Sequence, residues 1–249
     1  MKILGIIPAR YASSRFPGKP LVMIDGKSMI RRVFEQARKC TEISEVVIAT
    51  DSEIIANHIG TFGGNFILTS VHHKSGTERC LEALNIMSKN SASSYDIVIN
   101  IQGDEPFIDP GQISELIGVF SNPEVSLATL VKKIKSPEEL TDPNVVKVIF
   151  DRNRKAIYFS RQAIPFVRGK ESAEWIGERD FFKHIGIYGY RTDVLRTIVN
   201  LPVSSLETAE SLEQLRWIEN GYPIHIRETE YESIAIDTPA DLLKITNRT

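Results

Sequence analysis

The sequence is short of cysteine and of long apolar runs. Its 249 residues include two cysteines, Cys40 and Cys80, both in stretches with helical spacing. Two such thiols favour reduced, part-buried side chains over a disulfide framework or a metal site, which is typical of a cytoplasmic protein. No apolar stretch approaches the ~20 residues of a membrane helix, and the N-terminus lacks the cleavage site of a secretory signal. We therefore expect a cytoplasmic location and no membrane insertion.

The sequence also has little net charge. Apolar residues make up 42% of the chain and charged residues 25%, and the formal net charge is −2. A chain this close to neutrality is not built to bind nucleic acid or an anionic membrane over its whole surface. Any attraction for anions must therefore be local.

Two common phosphate-binding motifs are missing as well. The sequence contains neither G-x-x-x-x-G-K-[ST] nor G-x-G-x-x-G. Lack of the second motif argues against a nicotinamide oxidoreductase, although that class shares the strand–helix pattern described next. Phosphates would have to be bound by side chains and backbone amides of a different loop.

Strands and helices alternate in the first half of the chain. We predict short apolar strands at 2–7, 45–50, 65–69 and 96–101. Such strands are typical of a parallel sheet with helices on both faces. The second half contains a hairpin, "VVKVIFD" and "KAIYFS" joined by "RNR", and a capping box at Ser204 and Glu207 that predicts one helix reaching Ile218. We predict a single α/β domain with a Rossmann-like, mostly parallel sheet and a smaller antiparallel portion in the second half.

The loop after the first strand carries three cations and no carboxylate. The stretch "IIPARYASSRFPGKPL" contains Arg10, Arg15 and Lys19. Like charges this close repel each other by ~1 kcal/mol in water. The prolines and glycine restrict the loop, so less entropy is lost when it binds a ligand. These features favour a polyanion site, such as one for a phosphate chain, over a solvated loop.

Two acidic loops follow other apolar strands. "QGDEP" contains Asp104 and "IDTPADL" contains Asp237. Each alone could be a turn former or a helix cap. Beside a phosphate site they predict Mg²⁺, which takes one or two carboxylates from the protein and completes its shell with phosphate and water. In this interpretation the carboxylates bind metal and do not neutralise the cations of the first loop.

A further motif, "HHKSGTERC", has the pattern of a helix start. Thr77 is the predicted cap, with Ser75 in the turn before it. Free amides at a helix start, together with Arg79, favour binding of an anion or a polar base. His72 and His73 lack partners at metal-ligand spacing, so we interpret them as surface residues.

These motifs, taken in order, resemble one enzyme family. "IIPARYASSRFPGKPL", "SGTER", "NIQGDEP", "AIYFSR", "KHIGIYGYR", "LEQLRWIENG" and "IDTPADL" are similar, essentially end to end, to the 3-deoxy-manno-octulosonate (Kdo) cytidylyltransferases. The resemblance implies a nucleotidyltransferase fold, a homodimer, Mg²⁺ as cofactor, and transfer of CMP from CTP to Kdo for the lipopolysaccharide inner core. Two alternatives stay open: a cytidylyltransferase for a sialic acid or 8-amino-Kdo, and a nucleotide-sugar binding protein without activity.

The resemblance also implies roles for individual residues. It places Arg10, Arg15 and Lys19 on the triphosphate and Ser75 and Arg79 on the nucleotide. Its catalytic set is Lys19, Asp104 and Arg15, and its metal ligands are Asp104 and Asp237. Its sugar pocket consists of Gln102, Arg161, His184, Tyr188, Glu213 and Gln214. Arg161 and His184 would suit the sugar carboxylate, and Glu213 and Gln214 its hydroxyls. The nucleotide-binding part would be about 1–130 and 223–249, and the sugar-binding and dimerisation part about 131–222.

Overall fold

Strands and helices alternate through the first two thirds of the chain. The computed structural model describes residues 1–12, 16–90, 94–232, 235–236 and 238–246. The strands are β1 (Ile3–Ala9), β2 (Met23–Ile24), β3 (Lys27–Ser28), β4 (Glu45–Thr50), β5 (Phe66–Leu68), β6 (Ile97–Asn100), β7 (Leu127–Lys133), β8 (Lys147–Phe150), β9 (Ala156–Ser160), β10 (Phe182–Arg191) and β11 (His225–Glu228). The α-helices are α1 (Met29–Ala37), α2 (Glu53–Gly60), α3 (Gly76–Asn90), α4 (Pro110–Val119), α5 (Pro137–Thr141), α6 (Trp175–Glu178), α7 (Thr192–Ile198), α8 (Ser205–Glu210), α9 (Gln214–Glu219) and α10 (Pro239–Thr246). Of the helices in these described ranges, none is long and apolar enough to cross a membrane.

One sheet runs through the molecule in the order β11-β7-β10-β6-β1-β4-β5. Strands β6, β1, β4 and β5 are parallel neighbours, and β11 is parallel to β7. Strand β10 is antiparallel to β6 and β7, and the hairpin β8–β9 joins it antiparallel. The predicted α/β class, with its antiparallel portion in the second half, is therefore confirmed. Because β1, β4 and β6 run the same way, their carboxyl ends meet at one edge of the sheet.

The core lies on both faces of this sheet. Along β1, Ile3 and Ile7 pack into one apolar cluster and Leu4 and Ile6 into the other, and none of the four is more than 2% exposed. Helices α1, α2 and α4 cover the first face, and α3, α7 and α9 cover the second. Burial on both faces explains why β1 is apolar at successive positions rather than at alternate ones.

The helix predicted from Ser204 to Ile218 is interrupted. The capping box at its start is present, with Ser204 and Glu207 bonded reciprocally. Helix α8 then ends, because Ser211 adopts a left-handed backbone with φ of 52°. Helix α9 starts afresh from Glu213 as its N-cap. The single-helix prediction is wrong here, and the break turns Glu213 toward the start of α3.

Candidate functional site

A cleft of about 370 Å³ opens at the carboxyl edge of the parallel strands. Its walls come from the end of β1, the short turn at Lys19–Leu21, the start of α3 and the loop after β6. The lining residues are Pro8, Ala9, Arg10, Lys19, Pro20, His73, Lys74, Ser75, Gly76, Arg79, Gln102, Gly103 and Asp104. This is the edge at which open α/β sheets bind ligands, and five of the predicted nucleotide and catalytic residues, Arg10, Lys19, Ser75, Arg79 and Asp104, meet there.

Two glycines shape the cleft, one by allowing a close approach and one by its backbone conformation. A Cβ atom on Gly103 would lie 2.7 Å from the carbonyl oxygen of Pro8, so the loop after β6 rests directly on the end of β1. In the cationic loop, directly before Lys19, Gly18 has a φ of +69°, a conformation that L side chains rarely adopt. Its N–H donates to the carbonyl of Tyr11 at 3.0 Å, which closes the cationic loop on itself.

Lys19 and Asp104 face each other across the cleft. The Lys19 Nζ lies 2.7 Å from the Asp104 Oδ2, and the two side chains are 15% and 25% exposed. The expectation that Asp104 would not neutralise the cationic loop is wrong for this pair, because its carboxylate and the Lys19 ammonium form a direct ion pair. Arg10 lies exposed beside them, and Arg15 is outside the described residues.

The C-terminal segment also reaches Asp104. The N–H of Ile236 donates to the Asp104 carbonyl at 3.0 Å. Thr238 caps the last helix, since its hydroxyl accepts from the Asp241 N–H. Asp237 itself is outside the described residues, so its predicted role as a metal ligand stays a prediction. Asp104 suits Mg²⁺ chemically, because it offers a hard carboxylate oxygen at the wall of a cationic cleft.

The start of α3 is tied to Glu213. The Ser75 hydroxyl accepts from the Glu78 N–H at 3.2 Å, so Ser75 is the cap in place of the predicted Thr77. Both hydroxyls donate to the Glu213 carboxylate, Ser75 at 2.9 Å and Thr77 at 2.8 Å. Burial raises the pKa of Glu213, and these two hydrogen bonds partly oppose the shift. Glu213, predicted for the sugar pocket, thus supports the nucleotide side of the cleft.

Arg79 forms part of the cleft wall and is itself only 3% exposed. Its guanidinium donates to the Asp51 carboxylate at 2.7 Å and to the Thr69 hydroxyl at 2.6 Å. Asp51 was not predicted from the sequence. Its position directly after strand β4, at the same edge of the sheet as the other site loops, was the signal that could have found it.

Three of the predicted sugar residues meet at a bulge in β10. The ladder with β7 shifts register between Ile185 and Tyr188. Gln102 donates to the carbonyl of Gly186 there at 2.9 Å. The rings of His184 and Tyr188 are 5.2 Å apart. Burial lowers the pKa of His184 to about 3, so the ring is uncharged at neutral pH and brings no positive charge for a sugar carboxylate.

Arg161 and Gln214 are the remaining two residues of the predicted sugar pocket. The Arg161 guanidinium donates to the carbonyls of Glu210 at 2.7 Å and Pro143 at 3.0 Å, and Arg161 is not among the residues that line the cleft. Gln214 is buried in α9. The fully buried Lys147 donates to the Arg161 carbonyl at 2.6 Å and was missed by sequence reasoning, although a lysine inside the apolar run "VVKVIF" was a signal.

Comparison with known proteins gives a consistent family. Residues 4–233 match the family model described as Cytidylyltransferase. The 3-deoxy-manno-octulosonate cytidylyltransferase of Cytophaga hutchinsonii is 51% identical over 99% of this chain and 97% of its own length, and that of Parabacteroides distasonis is 50% identical over 98% and 96%. A solved CMP:2-keto-3-deoxy-manno-octonic acid synthetase complexed with CTP aligns with a TM-score of 0.89 at 41% identity, over 100% of this chain and 98% of the other. The chain therefore belongs to the cytidylyltransferases, and within them to the 3-deoxy-manno-octulosonate cytidylyltransferase family.

Proposed function

We propose that this enzyme transfers CMP from CTP to the anomeric hydroxyl of Kdo and releases pyrophosphate. The observation that carries the proposal is the cleft at the carboxyl edge of the sheet, where Lys19 and Arg10 stand beside Asp104. The family supports Kdo as the acceptor, since its members bear that name. The solved relative complexed with CTP supports CTP as the donor. The product would serve the inner core of lipopolysaccharide.

The cationic side chains would bind the phosphates of the nucleotide. Lys19 and Arg10, with Arg15 as the further candidate, would bind the triphosphate and orient its α-phosphorus. The Kdo hydroxyl then attacks that phosphorus as the bond to the β-phosphate breaks, and its proton passes to solvent or phosphate. The Lys19 ammonium neutralises charge that builds up on the departing pyrophosphate. No covalent intermediate with the enzyme is needed.

Asp104 is the proposed ligand of Mg²⁺, with Asp237 as the second. A carboxylate that is 25% exposed at the wall of a phosphate cleft fits a cation that takes few protein ligands. When bound, the ion supplies charge neutralisation and polarises the phosphate. Asp104 has a second task, because it positions the Lys19 ammonium by direct contact at 2.7 Å.

The sugar side of the proposal rests on the second half of the chain. We assign nucleotide binding to about 1–130 and 223–249, and sugar binding and dimerisation to about 131–222. The bulge of β10 and the residue Glu213 supply polar groups next to the nucleotide cleft. The homodimer is proposed from the family resemblance. The cytoplasmic location is proposed from the two free, buried thiols.

The deciding experiment measures pyrophosphate release from CTP in the presence of Kdo, with and without a chelator. We expect release that requires both Kdo and a divalent cation. A panel with 8-amino-Kdo and a sialic acid in place of Kdo tests the acceptor, and faster release with one of them would reassign it. Nucleotide binding without pyrophosphate release in the presence of any of these sugars would favour the binding-protein alternative.

Reversing the charge of Lys19 should cost turnover far more than stability. Lys19→Glu would set two carboxylates against each other where the triphosphate must bind, so we expect kcat to fall by about 100-fold or more. The free energy of unfolding should change by only about 1 kcal/mol, because a part-exposed ion pair contributes little. Lys27→Glu is the matched control, since Lys27 forms a 2.6 Å pair with Glu35 outside the cleft. Equal turnover in the two variants would contradict the role of Lys19.

A further inference from the structure

The ring of His184 packs against two aromatic side chains of the sheet. Phe159 meets it edge-on at 5.2 Å, and Tyr188 packs against it at the same distance. The backbone N–H of His184 donates to the Val146 carbonyl at 2.8 Å, which fixes the main chain at this residue. A side chain fixed in this way has one orientation, so the hydrogen-bond partners of its two ring nitrogens determine which nitrogen carries the hydrogen.

Thr129 determines that state. It is fully buried, and its Oγ1 lies 2.8 Å from the carbonyl oxygen of Ile187, 3.0 Å from that of Ile185 and 3.0 Å from the Nε2 of His184. A hydroxyl has one hydrogen, and carbonyl oxygens can only accept. The hydrogen must point to the carbonyls, since two buried oxygen–oxygen contacts without any hydrogen between them would be costly. The lone pairs of Oγ1 then face Nε2, so Nε2 carries the hydrogen.

The other nitrogen is therefore an acceptor. An uncharged imidazole has one N–H, and with Nε2 protonated the Nδ1 presents a lone pair. Within the part of the chain that the structure describes, no hydrogen-bond donor reaches Nδ1, and the residue is part-exposed. The neighbouring Tyr188 hydroxyl is likewise buried without a partner among the described residues. Of the two groups, Nδ1 of the part-exposed His184 is the one that a ligand can reach.

We propose that Thr129 is a positioning residue that fixes His184 in the Nε2–H tautomer, so that Nδ1 accepts a hydrogen bond from a hydroxyl of the sugar. This replaces the expectation that His184 suits the sugar carboxylate, because a lone pair facing a carboxylate oxygen is repelled. The identity of the ligand rests on the proposed function. The tautomer does not, since it is a property of the free protein.

The first test reads the tautomer directly. Nitrogen-15 spectra of the imidazole rings are recorded for the free protein at pH 7, and the signal of His184 among the five histidines is assigned from its loss in His184→Gln. We expect hydrogen on Nε2 alone. Hydrogen on Nδ1, or on both nitrogens, would overturn the proposal without any measurement of activity.

The second test asks whether Thr129 sets the tautomer. Thr129→Val removes the hydroxyl at nearly constant volume, and Thr129→Ser keeps it. We expect the valine variant to show a mixture of tautomers and the serine variant to show the Nε2–H form. An unchanged spectrum in Thr129→Val would remove Thr129 from this role.

The third test links the tautomer to the sugar. We expect Thr129→Val to raise KM for Kdo roughly tenfold and to leave KM for CTP unchanged. We expect Thr129→Ser to keep the KM for Kdo of the parent protein. Equal loss of affinity for both substrates would mean that Thr129 only maintains the fold, and would overturn the positioning role. If the parent protein turns over none of the sugars tested, the proposed function fails, while the spectra still decide the tautomer.

Discussion

Asp104→Asn is expected to lower kcat for CMP-Kdo formation by about 1000-fold at saturating Mg²⁺. Asparagine keeps the shape of the side chain but removes its negative charge. Two effects add: the proposed metal loses a hard anionic ligand, and the Lys19 ammonium loses the negative charge of the carboxylate that it contacts at 2.7 Å. Pyrophosphate release under saturating CTP and Kdo measures the result. Titration of CTP binding with and without Mg²⁺ gives a second readout, in which the variant should lose the gain in affinity that Mg²⁺ brings.

Asp25→Asn is the matched control for this prediction. Asp25 also pairs with a cation, Arg32 at 3.2 Å, but it lies outside the cleft lining. Its φ of 44° is one that asparagine adopts readily, so the replacement should be tolerated. We expect normal turnover in this variant. Near-normal turnover in Asp104→Asn as well would exclude Asp104 from both proposed roles.

The sequence-based prediction of the fold succeeded where the apolar pattern of a short segment determines which side chains are buried. The apolar run of β1 indicated a strand covered on both faces, and the two faces are indeed filled by separate clusters. The prediction failed at Ser211, where the pattern from Leu206 to Ile218 continued but the helix did not. The break depends on distant partners: Arg161 binds the carbonyls at 210 and 211, and Ser75 binds Glu213. Helical spacing carries no information on such contacts.

In the candidate site, too, some contacts could be predicted from the sequence and others could not. Lys19 and Asp104 could be brought together from the sequence, because each follows a strand whose carboxyl end lies at the same edge of the sheet. Asp51 carried the same positional signal, since it directly follows β4. Thr129 carried none, because it lies inside strand β7 and its partner His184 is 55 residues away along the chain. Arg161 was predicted from a charge at the end of an apolar strand. The structure adds that its guanidinium is bonded to backbone carbonyls of two other loops.

Lys147 lies beside Arg161, and its ammonium is fully enclosed. The residue is 0% exposed, and Nζ donates to the carbonyls of Asp142 at 2.8 Å, Val145 at 2.5 Å and Arg161 at 2.6 Å. Burial lowers its pKa from the usual value, which shows that the charge is held at a cost. That cost is offset by the bonds to the three carbonyls, of which, within the described part of the chain, only that of Asp142 also accepts from a backbone N–H, that of Val145. The lysine therefore fixes the 142–145 turn against the end of β9.

Lys147→Met is accordingly expected to lower the free energy of unfolding by about 3 to 5 kcal/mol. Methionine fills a similar volume, so the loss would come from the three carbonyls that no longer bond the ammonium and not from a cavity. Denaturant unfolding measures it, with Lys133→Met as the control: Lys133 lies on β7 with its side chain 46% exposed, and its loss should leave the free energy of unfolding nearly unchanged. In protein that remains folded, KM for Kdo should rise more than KM for CTP, because the displaced segment carries Arg161. Equal stability of the two variants would show that the buried ammonium does not hold these loops together.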